Sequence, residues 1–361
     1  MMDKIYKTGY DYFFWNYEEQ TKIKHFVVNE YFDKWIKIVG SRNKDLFYFD
    51  CHGGSGAYID EDKKIFYGSP VLAAETIEKN INSLDRNVQI VIIEQDKKNV
   101  DNLKKIFDSK KLKVKPFIIE GDFDNQINKI LDKNLNMPYP SFFFIDPFGF
   151  KIKFKTLKRI MQMPFHEIVL NFMFNNINRF LIEGIEGVLN DLFGGNEWKG
   201  LVQLQGNERE KSIVNLFRNK LKTICQYVFP YRIAFPNSAR TYYYLFHLAN
   251  HPLACSVMKS AFAKYNFGKV EYLGKDRIYP TLFDTPEIEQ KNISEYLKKE
   301  FKNKTIAFDQ LISCIIDDVP YLESAIRKAL KEMEKKKHIQ VERVTSKTNI
   351  GLSGKDIIYF V

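Results

Sequence analysis

The first half of the chain repeats one pattern: a short, almost uninterrupted apolar run is followed by a stretch with helical spacing. Five apolar runs show this pattern, at residues 46–50, 88–94, 114–122, 141–146 and 167–173. Strands that are apolar on both sides are buried on both faces, which is typical of a parallel sheet covered by crossover helices. The pattern therefore predicts a doubly wound α/β fold with a mostly parallel sheet.

Helical spacing outside these runs extends the same domain in both directions. A leading helix is expected over 18–39, because its apolar residues recur at helical intervals and Gly40 follows as a stop signal. The helices after the five runs are expected near 70–79, 97–107, 125–131, 155–161 and 176–182. A less regular insertion is expected around 183–206, and a late strand pair at 231–235 and 241–249 closes the sheet. We expect this domain to span residues 1–268.

The last part of the chain has a different pattern. A proline-bearing connector is expected over 269–290, and a second domain over 291–361. Helical patterns at 288–301, 307–316 and 321–336 precede two apolar strands that flank a polar loop. Three helices followed by a β-hairpin predict a winged helix-turn-helix. Because a connector precedes it, we expect this module to fold independently of the sheet.

Length, charge and cysteine spacing limit the classes of protein that remain. At about 150 residues per domain, 361 residues correspond to two or three domains. Lys and Arg number 55 and Asp and Glu 45, and the net charge of +10 favours a polyanionic partner such as nucleic acid. The four cysteines form no C-x-x-C pair, so we expect neither a disulfide framework nor a metal site. No long apolar run occurs, which predicts no membrane segment and a cytoplasmic protein.

Acidic residues and glycines stand where the first three predicted strands end. The first strand ends in Asp50 and runs into a turn with three glycines, Gly53, Gly54 and Gly56. The second ends in Glu94 and the third in Gly121-Asp122. Glycines let a ligand approach the backbone, and an acid one strand away can accept both hydroxyls of a ribose. The set predicts a nucleoside-binding edge, with a tight turn and helix caps as the alternative roles of these residues.

The fourth predicted strand ends at the segment Asp146-Pro147-Phe148-Gly149. A short acceptor, a rigid proline and an aromatic ring resemble the D-P-P-Y motif of amino-group methyltransferases, in which polar acceptors polarise an exocyclic amine and the ring stacks on an extruded base. D-P-F-G also resembles the motif of the tRNA guanine exocyclic-amine dimethyltransferases. Asp146, Pro147 and Phe148 are therefore the candidate catalytic residues, although the same residues could form a structural turn.

Together, these segments resemble the three-Cys-motif partner protein (TcmP) family. The resemblance spans roughly residues 15–265 and is carried by FYFDCHGGSGAY, GSP at 68–70, VIIEQD, IEGDF, FFFIDPFG and EIVLNFMFNNINRF. It implies a Rossmann-like methyltransferase fold and S-adenosylmethionine (SAM) as cofactor. It also implies a companion that bears the three cysteines and is similar to a radical-SAM protein, and a C-terminal winged helix.

Two further sets of residues are candidates for contact with a substrate. Asn178 and Arg179, after the fifth strand, could line the substrate mouth or lie on a helix surface. Lys335, Lys336 and Lys337 follow the predicted recognition helix and suit contact with nucleic-acid phosphates, RNA or DNA. Winged helices also mediate protein contacts, which is the alternative for this module.

Two functions from different classes follow from these predictions. The first is a SAM-dependent methyltransferase that acts on an exocyclic amine of a nucleic-acid base, with Asp50, Gly53, Gly54, Gly56, Glu94 and Asp122 holding the cofactor. The second is a non-catalytic, nucleoside-binding partner or adaptor subunit of the three-Cys-motif companion.

Overall fold

The computed structural model shows a mixed α/β chain with one large, mostly parallel sheet and two small sheets, one near each end of the chain. It describes residues 4–84, 86–133, 138–182, 185–235, 240–265, 270–272, 286–344 and 352–360. Within these ranges, no helix is long and apolar enough to cross a membrane.

The elements up to residue 182 are, in chain order, β1 (Lys4–Tyr6), β2 (Phe13–Asn16), α1 (Glu19–Gly40), β3 (Asp45–Asp50), β4 (Ala57–Ile59), β5 (Ile65–Tyr67), α2 (Ser69–Leu84), β6 (Asn87–Glu94), α3 (Lys97–Lys110), β7 (Phe117–Glu120), α4 (Phe123–Lys133), β8 (Ser141–Ile145), α5 (Phe154–Ile160), β9 (His166–Phe172) and α6 (Phe174–Phe180). Those that follow are α7 (Glu186–Phe193), a 3-10 turn (Glu197–Leu201), α8 (Gly206–Leu221), β10 (Tyr227–Ala234), β11 (Thr241–Ala249), α9 (Pro252–Lys264), β12 (Val270–Tyr272), α10 (Pro286–Glu300), β13 (Thr305–Ala307), α11 (Phe308–Ile315), α12 (Glu323–Lys335), β14 (Ile339–Glu342) and β15 (Ile357–Phe360). The five predicted strands with their helices, and the leading helix, are confirmed.

The central sheet has the strand order β12-β10-β11-β9-β8-β3-β6-β7. The run from β9 to β7 is parallel throughout, and β11 is antiparallel to both β9 and β10. The chain moves from β3 outward through β6 to β7, and then returns to place β8 and β9 on the other side of β3. The predicted doubly wound, mostly parallel sheet is therefore confirmed, with the switch of direction between β3 and β8.

Both faces of the sheet are covered by helices. Phe143 and Ile145 point into a core formed with α4 to α8, whereas Phe142 and Phe144 point into a core formed with α1, α2, α3 and α9. All four side chains are fully buried. Successive residues of a strand face opposite sides, so an uninterrupted apolar strand is the expected result of two covered faces.

Two segments that the sequence left irregular contain regular structure. In the predicted insertion at 183–206, α7 and the 3-10 turn bring the fully buried Trp198 into one core of the sheet. In the predicted connector at 269–290, β12 pairs with β10, and α10 begins at Pro286. Residues 273–285 of the connector lie outside the described residues.

A small sheet that the sequence analysis did not predict lies beside the glycine turn. Its strand order is β1-β2-β4-β5, and β2 and β4 are parallel, with Trp15 opposite Tyr58. The side chain of Asn102 on α3 joins this sheet to the turn: its Oδ1 accepts from the Phe13 amide at 2.8 Å, and its Nδ2 donates to the Ser55 carbonyl at 2.8 Å. These bonds fix the N-terminal strands against the first crossover of the main sheet.

The C-terminal module has α10 to α12 packed on a three-stranded antiparallel sheet in the order β13-β15-β14. The order of three helices and a hairpin is the predicted one, and its assignment as a winged helix stays a prediction. The module shares a buried core with Tyr227 and Cys255 of the main domain, and its independent folding stays a prediction. Lys222 also lies 2.6 Å from Asp317, and the buried Lys259 donates to the Val319 carbonyl at 2.5 Å.

Candidate functional site

A cleft of about 1060 Å³ opens at the edge of the central sheet where β3, β6, β7 and β8 end. Its walls include four of the predicted site residues, Glu94, Asp122, Pro147 and Phe148, which come from three strand ends. This edge is where ligands bind in doubly wound sheets. The topology therefore brings residues far apart in sequence to one place.

The glycine turn packs closely against the side chains around it. Gly54 and Gly56 have φ values of +63° and +76°, which favour glycine. A Cβ atom on Gly53 would lie 2.5 Å from a methyl of Ile92, and one on Gly56 would lie 2.5 Å from a methyl of Leu103. Packing and backbone conformation thus require these glycines. Cys51 and His52 of the same turn line the cleft, whereas the three glycines do not.

Glu94 connects the glycine turn to the end of β6. Its Oε2 accepts from the Gly54 amide at 2.7 Å, and its Oε1 accepts from the Asp96 amide at 2.8 Å. Only 7% of the residue is exposed. Oε1 also accepts from Asn99 Nδ2 at 3.4 Å. A carboxylate offers about four acceptor positions, so one remains, on Oε2, for a hydroxyl of a ligand. Asp96, not Glu94, caps α3, because its Oδ1 accepts from the Lys98 amide at 2.7 Å.

Asp122 lines the cleft next to the start of α4. Its Oδ1 accepts from the Asn125 amide at 3.0 Å, which is the bond of a helix cap. Its other oxygen has no hydrogen-bond partner among the residues that the structure describes. The capping role is therefore present, and it leaves one carboxylate oxygen available to a ligand.

Asp146 lies behind the cleft, and both of its oxygens are engaged. Oδ2 lies 2.5 Å from Lys24 Nζ on α1, and Oδ1 accepts from Asn171 Nδ2 at 2.6 Å. Burial alone would raise the pKa of Asp146, but Lys24 and, to a smaller extent, Asn171 hold it below its ordinary value. The carboxylate is therefore ionised at neutral pH and fixed in orientation. Pro147 and Phe148 line the cleft, whereas Asp146 does not.

Asp50 is fully buried below the glycine turn and does not line the cleft. Its Oδ2 accepts from the Tyr48 hydroxyl at 3.1 Å. Burial is the main cause that raises the pKa of Asp50 to about 7. This position favours support of the turn over direct contact with a cofactor.

Cys51 and His52 are the side chains of the turn that face the cleft. Burial raises the pKa of the Cys51 thiol well above its usual value, so the residue is a packing group and not a thiolate. Burial also lowers the pKa of His52 to about 4. The His52 Nδ1 atom is buried, and the described part of the chain offers it no hydrogen-bond partner.

The predicted substrate residues on α6 point to other parts of the molecule. Asn178 Oδ1 accepts from Arg209 Nε at 2.8 Å, so this residue holds α6 to α8. Arg179 is exposed and does not line the cleft, whereas Asn176, on the same helix, does. The predicted helix-surface role fits Arg179 better than a place at the substrate mouth.

The three predicted lysines of the C-terminal module are exposed. Lys335 ends α12, and Lys336 and Lys337 follow it. Lys335 lies 3.1 Å from Glu332, a contact of two exposed groups that contributes little. The cluster is accessible to a partner.

Residues that the sequence analysis missed form one wall of the cleft. Trp15 and Asn16 of β2 and Tyr242 of β11 line it. The Phe148 ring, 68% exposed, stands edge-on to Trp15 at 5.2 Å between ring centroids. Trp15 is buried, and its edge contact with the exposed Phe148 leaves a face of the Phe148 ring available for stacking.

The chemistry of the lining fits a nucleoside ligand without a triphosphate. Glu94 and Asp122 have spare acceptor positions, and Phe123 and Phe148 supply aromatic rings. Carboxylates would repel a triphosphate, but they accept from ribose hydroxyls and amino groups and attract a cation. The residues present therefore fit the cofactor that the TcmP resemblance implies.

No protein-family model and no curated protein sequence matches the chain. Among solved structures, it is similar to a Legionella pneumophila protein of the family DUF519, with 14% identity over 70% of this chain and 95% of that chain and a TM-score of 0.44. An O-methyltransferase of Bacillus cereus in complex with SAH is similar with 12% identity, over 62% of this chain and 80% of that chain, and a TM-score of 0.35. Human methyltransferase-like protein 13 in complex with SAH is similar with 11% identity, over 67% of this chain and 92% of that chain, and a TM-score of 0.36. Membership of the TcmP family stays a prediction.

Proposed function

We propose that this protein is a SAM-dependent methyltransferase whose acceptor is an exocyclic amine of a nucleic-acid base. The observation that carries the proposal is the convergence of Glu94, Asp122, Pro147 and Phe148 in one cleft beside the glycine turn. The mostly parallel sheet is consistent with the Rossmann-like methyltransferase fold that the TcmP resemblance implies. When bound, SAM would supply an electrophilic methyl group on a sulfonium centre.

On the cofactor side, the two carboxylates have separate tasks. Glu94 is already fixed by two backbone amides and the Asn99 side chain, so its remaining acceptor position on Oε2 is preorganised for a ribose hydroxyl. Asp122 presents its unpaired oxygen where an adenine amino group could donate. Both charges also attract a cationic ligand.

On the acceptor side, Pro147 and Phe148 present a carbonyl and an exposed ring. The ring would stack on the base, and the carbonyl would accept from the amine. Asp146, held by Lys24 and Asn171, would fix the start of the turn and with it the direction of the Pro147 carbonyl. The chain thereby supplies orientation and electrostatics.

The C-terminal module supports a nucleic-acid acceptor. We assign it as a winged helix-turn-helix whose exposed Lys335, Lys336 and Lys337 contact phosphates. The three-Cys-motif companion and a cytoplasmic location remain parts of the proposal that come from the sequence resemblance and composition.

One observation favours the adaptor function as a second candidate. Both oxygens of Asp146 are engaged by Lys24 and Asn171, and the side chain is not among those that line the cleft. A nucleoside-binding subunit would retain Glu94 and Asp122 without needing Asp146 at the acceptor.

A transfer assay distinguishes the two functions. Purified protein is supplied with methyl-labelled SAM and with cellular RNA or DNA, in the presence and absence of the companion, while calorimetry measures SAM binding. We expect label in a base, lost in Asp146→Ala with SAM binding retained, and unchanged in Asp132→Ala, which removes an exposed carboxylate on α4. SAM binding without transfer by wild type would establish the adaptor function. Absence of SAM binding would refute both.

A further inference from the structure

A row of exposed lysines begins at the cleft and continues onto α5. The basic strip consists of Lys151, Lys153, Lys155 and Lys158, all exposed, and Ile152 between the first two is buried. Among the residues with described positions, none of the four lysines forms an ion pair. Lys153 interacts electrostatically with the carboxylate of Asp124. The strip is therefore a positive surface, neutralised only in part at Lys153 and held in place by the core below it.

The strip is continuous with the cleft and with exposed aromatic rings. Lys151 itself lines the cleft. Phe148, 68% exposed, precedes the strip, and Phe180, 42% exposed, contacts Phe150 with ring centroids 5.8 Å apart. A positive surface with exposed rings is the combination that binds single-stranded nucleic acid, because phosphates follow the charges and unpaired bases stack on the rings.

The signs of charge divide the site into two parts. Glu94, Asp96 and Asp122 make the cleft wall acidic, whereas the basic strip at its mouth is positive. An acidic wall suits a cationic cofactor and would repel a phosphate backbone, which the strip would attract. A strand lying on the strip would therefore keep its phosphates outside the cleft and could direct one base inward.

We propose that the basic strip, together with Phe148, binds an unpaired segment of the acceptor nucleic acid. This inference rests on the proposed function, since it names the form of the substrate and the surface that holds it. The segment is RNA or DNA, which share the phosphate and base chemistry. An acidic protein partner lacks bases that could stack on Phe148.

The chain contains a matched control for the strip. Lys111, Lys113 and Lys115 are also exposed and form a similarly short run of lysines. They precede β7, so they lie at the amino end of a parallel strand, opposite the edge that carries the cleft. Replacement by glutamine of these three lysines, or of the three strip lysines that do not line the cleft, Lys153, Lys155 and Lys158, removes three positive charges from a chain of net charge +10.

Fluorescence anisotropy with labelled single-stranded RNA, single-stranded DNA and duplex DNA, at several salt concentrations, tests the proposal. Each phosphate contact on a single strand contributes about 0.7 to the salt slope, so Lys153→Gln/Lys155→Gln/Lys158→Gln should lower that slope by about 2. We expect at least fivefold weaker single-strand binding, a smaller effect on duplex, and no change in the control. Equal losses in both variants, or no loss in the strip variant, would overturn the proposal.

Two further measurements separate this surface from the catalytic proposal. Calorimetry should show unchanged SAM affinity in the strip variant, and Phe148→Ala should weaken single-strand binding but not the binding of poly-glutamate. The inference would be refuted if poly-glutamate bound with the same affinity as RNA and if the strip variant and Phe148→Ala weakened its binding equally. That result would show a general surface for acidic partners. Weaker single-strand binding by the strip variant, alongside a wild type that transfers no methyl group, would retain the surface and reject the enzyme.

Discussion

Replacement of Glu94 by alanine removes a carboxylate that supports the glycine turn and also faces the cleft. The loss of stability and the loss of cofactor affinity can be considered separately. The carboxylate holds the amides of Gly54 and Asp96 at 2.7 and 2.8 Å in a nearly buried position. The same carboxylate faces the cleft, where it is proposed to accept from the ribose of SAM. Glu94→Ala should therefore lower both stability and cofactor affinity.

The stability cost follows from the two amide bonds. A hydrogen bond to a charged group contributes about 1.5–3 kcal/mol. The cleft is open to water, which replaces part of each lost bond, so we expect a total loss of about 2 kcal/mol in the free energy of unfolding. Loss of the ribose contacts should weaken SAM binding about ten- to hundredfold, which corresponds to about 1.4–2.8 kcal/mol.

Urea unfolding measures the first effect, and calorimetry on the folded variant measures the second. Glu120 is the matched control, because it pairs with Glu94 across β6 and β7 but is exposed and does not line the cleft. Glu120→Ala should change neither quantity appreciably. The reasoning is refuted if folded Glu94→Ala protein binds SAM as tightly as wild type, or if the two alanine variants unfold at the same urea concentration.

Three other changes test other parts of the fold. Lys24→Met removes the cation that holds the pKa of Asp146 low, so burial should raise that pKa. The variant should be less stable than wild type near about pH 7, and urea unfolding should show this difference shrinking toward about pH 4, as protonation removes the buried charge. Burial lowers the pKa of Lys259 to about 7, below its unfolded value of about 10.4, so its contribution to stability rises between these pH values. Urea unfolding of Lys259→Met, measured between these two pH values, should show no such rise in stability. Gly56→Ala should lower Tm more than Gly9→Ala, because Gly9 has open space around its Cβ position and costs only about 1–2 kcal/mol of backbone strain.

The main sheet could be predicted because its signal is local and repeated. Each buried strand is a continuous apolar run, and each helix has its own periodicity and boundary residues. Phe142 to Ile145, for example, can be buried on both sides only in a covered sheet. The topology then places the strand ends, and with them Glu94 and Asp122, at one edge.

The small N-terminal sheet lacked such a signal. Its strands have three or four residues, and β2 pairs in parallel with β4, which lies beyond α1 and β3. No local spacing indicates such a pairing, so the positions of Trp15 and Asn16 in the cleft could not be predicted. Lys24 was hidden for a similar reason, since it lies on a helix whose polar residues are usually solvated.

The connector and the C-terminal module show the same limit. Pro280 and Pro286 suggested a linker, whereas the contacts that fix the module come from distant residues such as Lys222 and Lys259. A basic residue within a helical pattern does not reveal in sequence whether it faces water or a carbonyl of another element.

The wall of the cleft formed by β2 has a consequence for synthesis of the chain. The Tyr243 hydroxyl on β11 donates to the Gln20 carbonyl at 2.6 Å across 223 residues, and neighbouring residues of these same segments line the cleft. At about 5–20 residues per second, β11 is synthesised roughly 11–45 s after the start of α1 is synthesised. During that interval, the apolar side of α1 lacks its partners from the later strand pair. The cleft is thus completed only when β11 is made, long after its first wall.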